Sequence, residues 1–411
     1  MNTSLKVRNK LILLSFISYI FLWGLEIYNT YFLRYFIFIP FILSFIYRDY
    51  VNKIDTKKYL IVPIFLLSHY VFVNYINSSP FLARDIFGII FLCIIIYTVL
   101  IYKDLLISNF KSILKIYFSL LILSSIYYDR SIYVGSCGSN FFEYFQILNL
   151  LKLSKGFFIE NSHLAMMNIA ALMSSVYIYL KEKDKMLMTL IILALIVNIY
   201  NLSTTFILGL IVCSAILFFL TNEKLFKKIL ILISLFCLAI FFYSNDCSKK
   251  ISKIDYENMK NDKIFQKNSA GLTSSIYERS IILSLKTLKN NPLGWGFDGS
   301  IKAVEKLLND SKNKQYKEQY QLNHLFWKLN LRDALGNLFK LIIEFGYLSF
   351  ILIFFFINYI KKGNLNGYKI FIISLFVVQL FRGTGYINGG FMIAFTEIFL
   401  SNYLILRIKH K

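Results

Sequence analysis

The sequence predicts an all-α polytopic membrane protein of about twelve transmembrane helices, with one large loop on the external side. Three observations carry that expectation. Of 411 residues, 57% are hydrophobic and only 17% are charged, too few to cover a water-soluble surface, for which roughly 25% is usual. Apolar runs approaching the ~20 residues of a spanning helix recur along the whole chain. Lys and Arg collect in alternate short loops, as the positive-inside rule requires. A soluble enzyme, a disordered chain and a secreted disulfide scaffold are thereby excluded. The runs are continuously apolar rather than alternating, which argues against a β-barrel.

The expected spans are 11–27, 31–47, 59–76, 86–102, 113–128, 164–180, 186–201, 203–220, 229–243, 337–359, 370–387 and 390–406. The segments 1–10, 48–58, 103–115, 181–185, 221–228, 361–369 and 407–411 each hold three or four Lys/Arg, which makes that side and both termini cytoplasmic. The basic stretch before the first span mimics a signal peptide, but no small-residue cleavage site follows Leu22–Glu26, so it reads as an uncleaved span. The net charge of +22 is accounted for by this topology and by the Ile, Phe, Tyr, Asn and Lys usage of AT-rich coding. It is not a nucleic-acid signature. Cys93, Cys213 and Cys237 fall in spans; Cys137 and Cys247 fall in external segments, where an oxidising periplasm permits a disulfide. No Cys/His spacing reads as a metal site, and no cofactor is expected.

Three regions follow. Residues 1–243 hold nine spans and an external segment at about 129–163, in which Phe141–Leu153 is either a helix lying in the interface or a short buried one. Residues 244–336 form the large loop. Residues 337–411 hold three more spans and a cytoplasmic tail. Within the loop, Ser275–Glu278 has capping-box spacing, and Ile281, Ile282, Leu285 and Leu288 follow it as a helical stripe. Asn291–Pro292–Leu293–Gly294–Trp295–Gly296 then stops the helix. Further amphipathic pieces cover Ile301–Leu308 and Leu322–Leu335. No internal repeat is apparent, which counts against a transporter built from repeated halves.

Arginine near a span is costly and is a functional candidate by default. Arg34, Arg84 and Arg382 sit at external span ends, Arg279 in the first turn of the loop helix, and Arg332 just before the tenth span. A guanidinium beside free helix N–H groups makes a phosphate cradle, so Arg84, Arg279, Arg332 and Arg382 are the candidate pyrophosphate ligands, whereas Arg34 is placed to snorkel. Glu160 and His163, three residues apart at the mouth of the sixth span, are placed to act as a general base, to bind a sugar, or simply to cap the helix. His324 is a second candidate base, with a solvated loop imidazole as its alternative. His69, in mid-span, reads as a core residue. No paired external carboxylates suggest a divalent metal, so arginines would have to stabilise a leaving phosphate.

These motifs together resemble those of bacterial O-antigen polymerases and ligases. The matching elements are Arg279 with its helix and Asn291–Pro292–Leu293–Gly294–Trp295–Gly296–Phe297, Asn337 through Glu344–Phe345–Gly346, Glu160–Asn161–Ser162–His163–Leu164–Ala165, and Arg382–Gly383–Thr384–Gly385–Tyr386. The resemblance implies a GT-C-like glycosyltransferase of the bacterial inner membrane performing inverting, metal-independent transfer on the periplasmic face. Donor and acceptor would both be oligosaccharides on undecaprenyl pyrophosphate, with a chain-length determinant co-polymerase and a flippase as partners. Arg279 would bind the pyrophosphate and Arg382 would be a second motif arginine. Ligases of this group carry a His where this chain has Leu335–Gly336, which leaves Glu160, His163, His324 and Asp333 competing as base. The Glu160/His163 and Arg382 elements favour a polymerase over a ligase acting on lipid A–core. A lipid-linked oligosaccharide flippase, from another class, would be expected to have short loops.

Overall fold

A computed structural model of the chain describes residues 3–22, 32–46, 56–127, 161–201, 203–235, 272–309, 336–362, 364–383, 385–386 and 390–408. Among them there are helices and turns and no strand. In chain order the helices are α1 (Thr3–Ile20), α2 (Phe38–Ile46), α3 (Thr56–Ile76), α4 (Ala83–Ser108), α5 (Phe110–Tyr127), α6 (Asn161–Glu182), α7 (Lys185–Tyr200), α8 (Thr204–Leu220), α9 (Leu272–Asn290), α10 (Ser300–Asn309), α11 (Asn337–Phe345), α12 (Ser349–Lys361), α13 (Gly367–Phe381) and α14 (Phe391–Ile408). Residues 224–235 are also helical.

Three of the described helical stretches are long and apolar enough to cross a membrane: Ala83–Ser108, Ser162–Glu182 and Asn337–Lys361. Arg34–Ile46, Val62–Ile76, Lys185–Ile199, Thr205–Leu220 and Gly367–Phe381 are shorter apolar helices. Part of each expected span is helical, but several boundaries move, for local reasons. The first helix begins at Thr3 instead of residue 11, because Lys6, Arg8 and Lys10 are good helix formers and nothing before them breaks the ladder. The second span is only nine α-helical residues, preceded by a 3₁₀ turn over Phe32–Ile37. Pro40 has no N–H and its ring crowds the carbonyl four residues back, so the preceding turn tightens. The tenth span breaks at Gly346 and resumes after a 3₁₀ turn, Gly346–Leu348. The eleventh ends at Phe381, six residues early, since Arg382 leaves helical geometry at φ −135°.

The core is organised on α13, buried continuously from Gly367 to Gln379. It packs along α6, itself buried from Leu164 to Ser175, with α7 and α8 on α6 and α14 on α13. Aromatic rings fill the joints: Phe21 stacks on Tyr117 with centroids 4.0 Å apart and also meets Phe371. Such rings each bury a large apolar area and stack offset or edge-on.

Charged and polar helix ends meet in two groups. At one end, Lys111 contacts Glu182 at 2.6 Å, Lys111 and Lys115 both reach Asp184 at 2.7 Å, Lys181 pairs with Glu223, and the Tyr177 hydroxyl donates to Leu365 O at 2.8 Å. These residues come from or adjoin the basic short segments of the sequence. At the other end, Asn291 bonds Asn77 at 3.2 Å, Arg84 bonds Asp298 at 2.9 Å, and Arg382 reaches Ser162 at 3.4 Å. That second group contains the motifs.

The described part of the long loop departs from expectation in one helix. α9 starts at Leu272, so Ser275 lies inside it and does not cap it. With no Pro or Gly between Leu272 and Ser275, continuing the backbone ladder outcompetes the side-chain cap. The stripe is also turned around: Ser280, Leu283, Ser284 and Thr287 are buried, whereas Ile281 and Leu285 are exposed. α10 matches its expected extent. The pieces at Phe141–Leu153 and Leu322–Leu335, together with Cys137, Cys237 and Cys247, lie outside the described residues; Cys93 and Cys213 are buried free thiols.

Candidate functional site

Three of the motifs meet through backbone and glycine contacts, and the fourth joins them through a side chain. After Asn290 the chain turns: Asn291 N–H still donates to Thr287 O at 2.7 Å, and Gly294 N–H closes a turn on Asn291 O at 2.7 Å. The turn then docks on the end of α11. Trp295 N–H donates to Ile343 O (2.9 Å), Gly296 N–H to Glu344 O (3.0 Å), and Tyr347 N–H to Pro292 O (2.9 Å). The last carbonyls of a helix have no partner within it, and here the loop supplies them. Two glycines make the approach possible. A Cβ on Gly294 would lie 2.3 Å from Glu344 O, and one on Gly346 would lie 2.0 Å from Pro292 O; both residues also have positive φ, +81° and +55°.

Side chains lock this clip. His69 Nε2–H donates to Leu293 O at 2.9 Å, and its ring lies 4.8 Å from that of Phe345. His69 is thus a buried residue, as expected, that also holds the loop. Trp295 Nε1–H donates to Thr287 Oγ1 at 3.1 Å. Leu283, Ala303, Val304 and Ile343 form a small separate core beneath Trp295 and Phe339.

The third motif closes on the second. Gly383 packs so tightly on Asn337 that an added Cβ would lie 2.5 Å from its amide carbon and oxygen. Tyr386 places its ring under Lys340, with Nζ 5.0 Å from the ring centre, and 6.0 Å from the ring of Phe297. Arg382, on the same turn, bonds Ser162, next to the half-buried His163 in the first turn of α6. The structure therefore brings Arg382 and the Ser162–His163 element together. Glu160, His324, Arg332 and Asp333 lie outside the described residues, as does the side chain of Arg279. Position 279 belongs to α9 and, since that helix starts at Leu272, lies beyond its first turn rather than in it as expected.

Next to the clip lies a charge cluster. Asp298, at φ +54°, a conformation that Asp tolerates better than most residues, ties Arg84 at 2.9 Å to Lys340 at 3.8 Å. Arg84 also lies 3.6 Å from Asp85. Tyr70 donates to Asp85 at 3.3 Å and accepts from Leu82 N–H at 3.0 Å. Lys302 donates to Asn74 at 2.7 Å. Burial pushes the Lys302 pKa below its ordinary value, with Asp85 and Asp298 opposing. Lys340 and Glu344, one helical turn apart, are 3.5 Å from each other. Arg84, Lys302 and Lys340 thus lie among Asp85, Asp298 and Glu344, and Arg84 is engaged by carboxylates.

What distinguishes the place is unmet hydrogen bonding. Asn337 and Glu344 are 0% exposed and Tyr386 5%. Among the described residues, both polar atoms of the Asn337 amide and His69 Nδ1 have no hydrogen-bond partner, whereas the buried Glu344 carboxyl interacts with Lys340 and with the Tyr386 hydroxyl. Each such unpartnered group costs about 1–3 kcal/mol when left unsatisfied, so their presence at one junction calls for a polar ligand or ordered water. Asn337, Lys340 and Glu344 share one face of α11 by their spacing.

An adjacent face of α11 borders an apolar cavity of about 250 Å³ between α3, α12 and α14, lined by Leu66, Leu341, Phe345, Leu352, Phe395 and Phe399 among others. Lys340, Glu344, Asp298 and Asp85 were not among the residues the sequence singled out as a site. A signal existed for two of them: an ionisable pair at i, i+4 inside the apolar run Asn337–Lys361. Comparison of the chain with family models, curated proteins and solved structures gives no match in any of the three.

Proposed function

We propose that this chain is a surface-polysaccharide polymerase of the bacterial inner membrane, joining undecaprenyl-pyrophosphate-linked repeat units on the periplasmic side. The observation that supports the reading is the convergence of four short motifs, far apart in sequence, on one junction that holds unsatisfied buried polar groups. In the proposed reaction an acceptor hydroxyl attacks the anomeric carbon of the donor glycan. The new C–O bond forms as the bond to pyrophosphate breaks, a base takes the hydroxyl proton, and the lipid pyrophosphate leaves. Arg382 and Arg279 are the proposed ligands of the pyrophosphate. Arg84, held by Asp298 and Asp85, instead ties the loop turn to α4.

The base comes from the Glu160–His163 element or from His324; His163 is favoured by its position beside the Ser162–Arg382 contact. The polar face of α11 would supply hydrogen-bonding groups to sugar hydroxyls, and the apolar cavity beside it would accept part of the lipid chain.

The test is a lipopolysaccharide gel from cells lacking the chain, complemented with the parent, with Arg382→Ala or with nothing. Core bearing a single repeat unit and no ladder, from the empty and Arg382→Ala strains alike, is the expected result. Bare core with long glycan accumulating on the lipid carrier would instead identify a ligase, and an unchanged ladder would remove the reading altogether.

A further inference from the structure

The loop helix α9 faces the wrong way for a helix in water. Its small and polar residues Ser280, Ser284 and Thr287 are buried with Leu283 towards α11, and small side chains permit such close helix approach. Its apolar stripe points out: Ile281 is 44% and Leu285 62% exposed, with Ile282 and Leu288 half-buried. An amphipathic helix in an aqueous loop turns that stripe inward.

The surface that the stripe joins explains the inversion. α9 packs against the 3₁₀ turn Gly346–Leu348, which lies within the stretch Asn337–Lys361, long and apolar enough to cross a membrane. Tyr347, Phe350, Ile351 and Phe354 on that stretch are exposed, and a spanning helix presents such residues to lipid. At the far end of α9, Lys289 is exposed on the stripe's side, and a lysine there reaches headgroup phosphates while its stem stays in apolar surroundings.

We infer that α9 is seated in the membrane interface, with Ile281 and Leu285 among the lipid chains and Lys289 at the headgroups; its partner is the bilayer itself. Amphipathic helices of this kind bury their apolar face at the headgroup–acyl boundary. The inference rests on the chain spanning a membrane and is independent of the glycosyl-transfer reading. Its consequence is that α9, which carries position 279, is held at headgroup depth and does not swing free as a soluble lid would.

Photoreactive benzoylphenylalanine placed at Leu285, and separately at Ile281, in the full chain in phosphatidylethanolamine–phosphatidylglycerol vesicles tests this. Exposed Glu305 on α10 is the control site. At least tenfold more phospholipid adduct at 281 and 285 than at 305, read by mass spectrometry, is expected. Equal yields at 285 and 305 would overturn the inference. So would crosslinks from 281 and 285 mainly to a second copy, or mainly to another segment of the same chain.

Discussion

The two polar ends of the helical bundle are built from the same residue types and treat them oppositely. Around Lys103, the buried Glu397, Tyr368 and Lys369 all have partners. Glu397, 2% exposed, is paired with Lys103 and accepts from the Tyr368 hydroxyl at 3.2 Å, and Lys369 donates to the carbonyls of Ile360 and Lys362, as a cation does at a helix C-terminus. Around Lys340, Glu344 meets Lys340 and Tyr386, yet both polar atoms of the fully buried Asn337 amide lack hydrogen bonds among the described residues. Buried polar groups are normally satisfied. The first arrangement is that of a structural joint; the second agrees with the proposed substrate site.

Substitutions that break this contrast are ordered by size. Lys103→Met leaves the buried Glu397 carboxyl without its cation; because Lys103 is a third exposed, solvent screening brings the cost below the roughly 3–5 kcal/mol of a fully buried pair, to about 3 kcal/mol. Thermal unfolding in detergent should show a clear drop in midpoint, with activity per folded molecule retained. Gly346→Ala at the clip forces a non-glycine residue into a strained φ for about 1–3 kcal/mol and drives its Cβ into Pro292 O. Limited proteolysis should then cut within 291–299 faster than in the parent, and polymer formation should fail. Thr287→Val removes the acceptor for Trp295 Nε1 at a cost of about 1 kcal/mol, read as a small shift in chemical unfolding.

The smallest effect concerns Asp184, whose carboxyl is held well below the usual carboxylate range by hydrogen bonds from Lys111 and Lys115 and from Leu187 N–H. Because its folded pKa is depressed, its stabilisation is present above the ordinary value of 3.8 and is lost as pH falls below that. Asp184→Asn should flatten the acid limb of the stability profile below about pH 4 and leave neutral pH almost unchanged; an unaltered acid limb would show that the pair contributes nothing.

Much of this arrangement was legible locally. Long apolar runs identified α4 and α6, and Pro292 with Gly294 and Gly296 marked the turn after α9. The motif spacing around Glu344–Gly346 and Arg382–Gly383 was visible too. The partners were not. Arg84 meets Asp298 across 214 positions, a contact that no local pattern encodes, and it gives that arginine a carboxylate partner. The stripe Ile281–Leu285 was visible as a period, but a period defines a face and not the medium it meets. Pro40 and Gly346 shortened or broke spans because backbone geometry overrode an uninterrupted apolar pattern.

The central claim is that the unsatisfied end, and not the satisfied one, is the working site. Glu344→Gln and Glu397→Gln each replace one buried carboxyl by an amide with little change of shape. Each would be expressed in cells lacking the parent chain, and the polysaccharide ladder normalised to the amount of protein in the membrane. The account predicts a single repeat unit without a ladder for Glu344→Gln at parental abundance, and a full ladder per molecule for Glu397→Gln. A parental ladder from Glu344→Gln would contradict it.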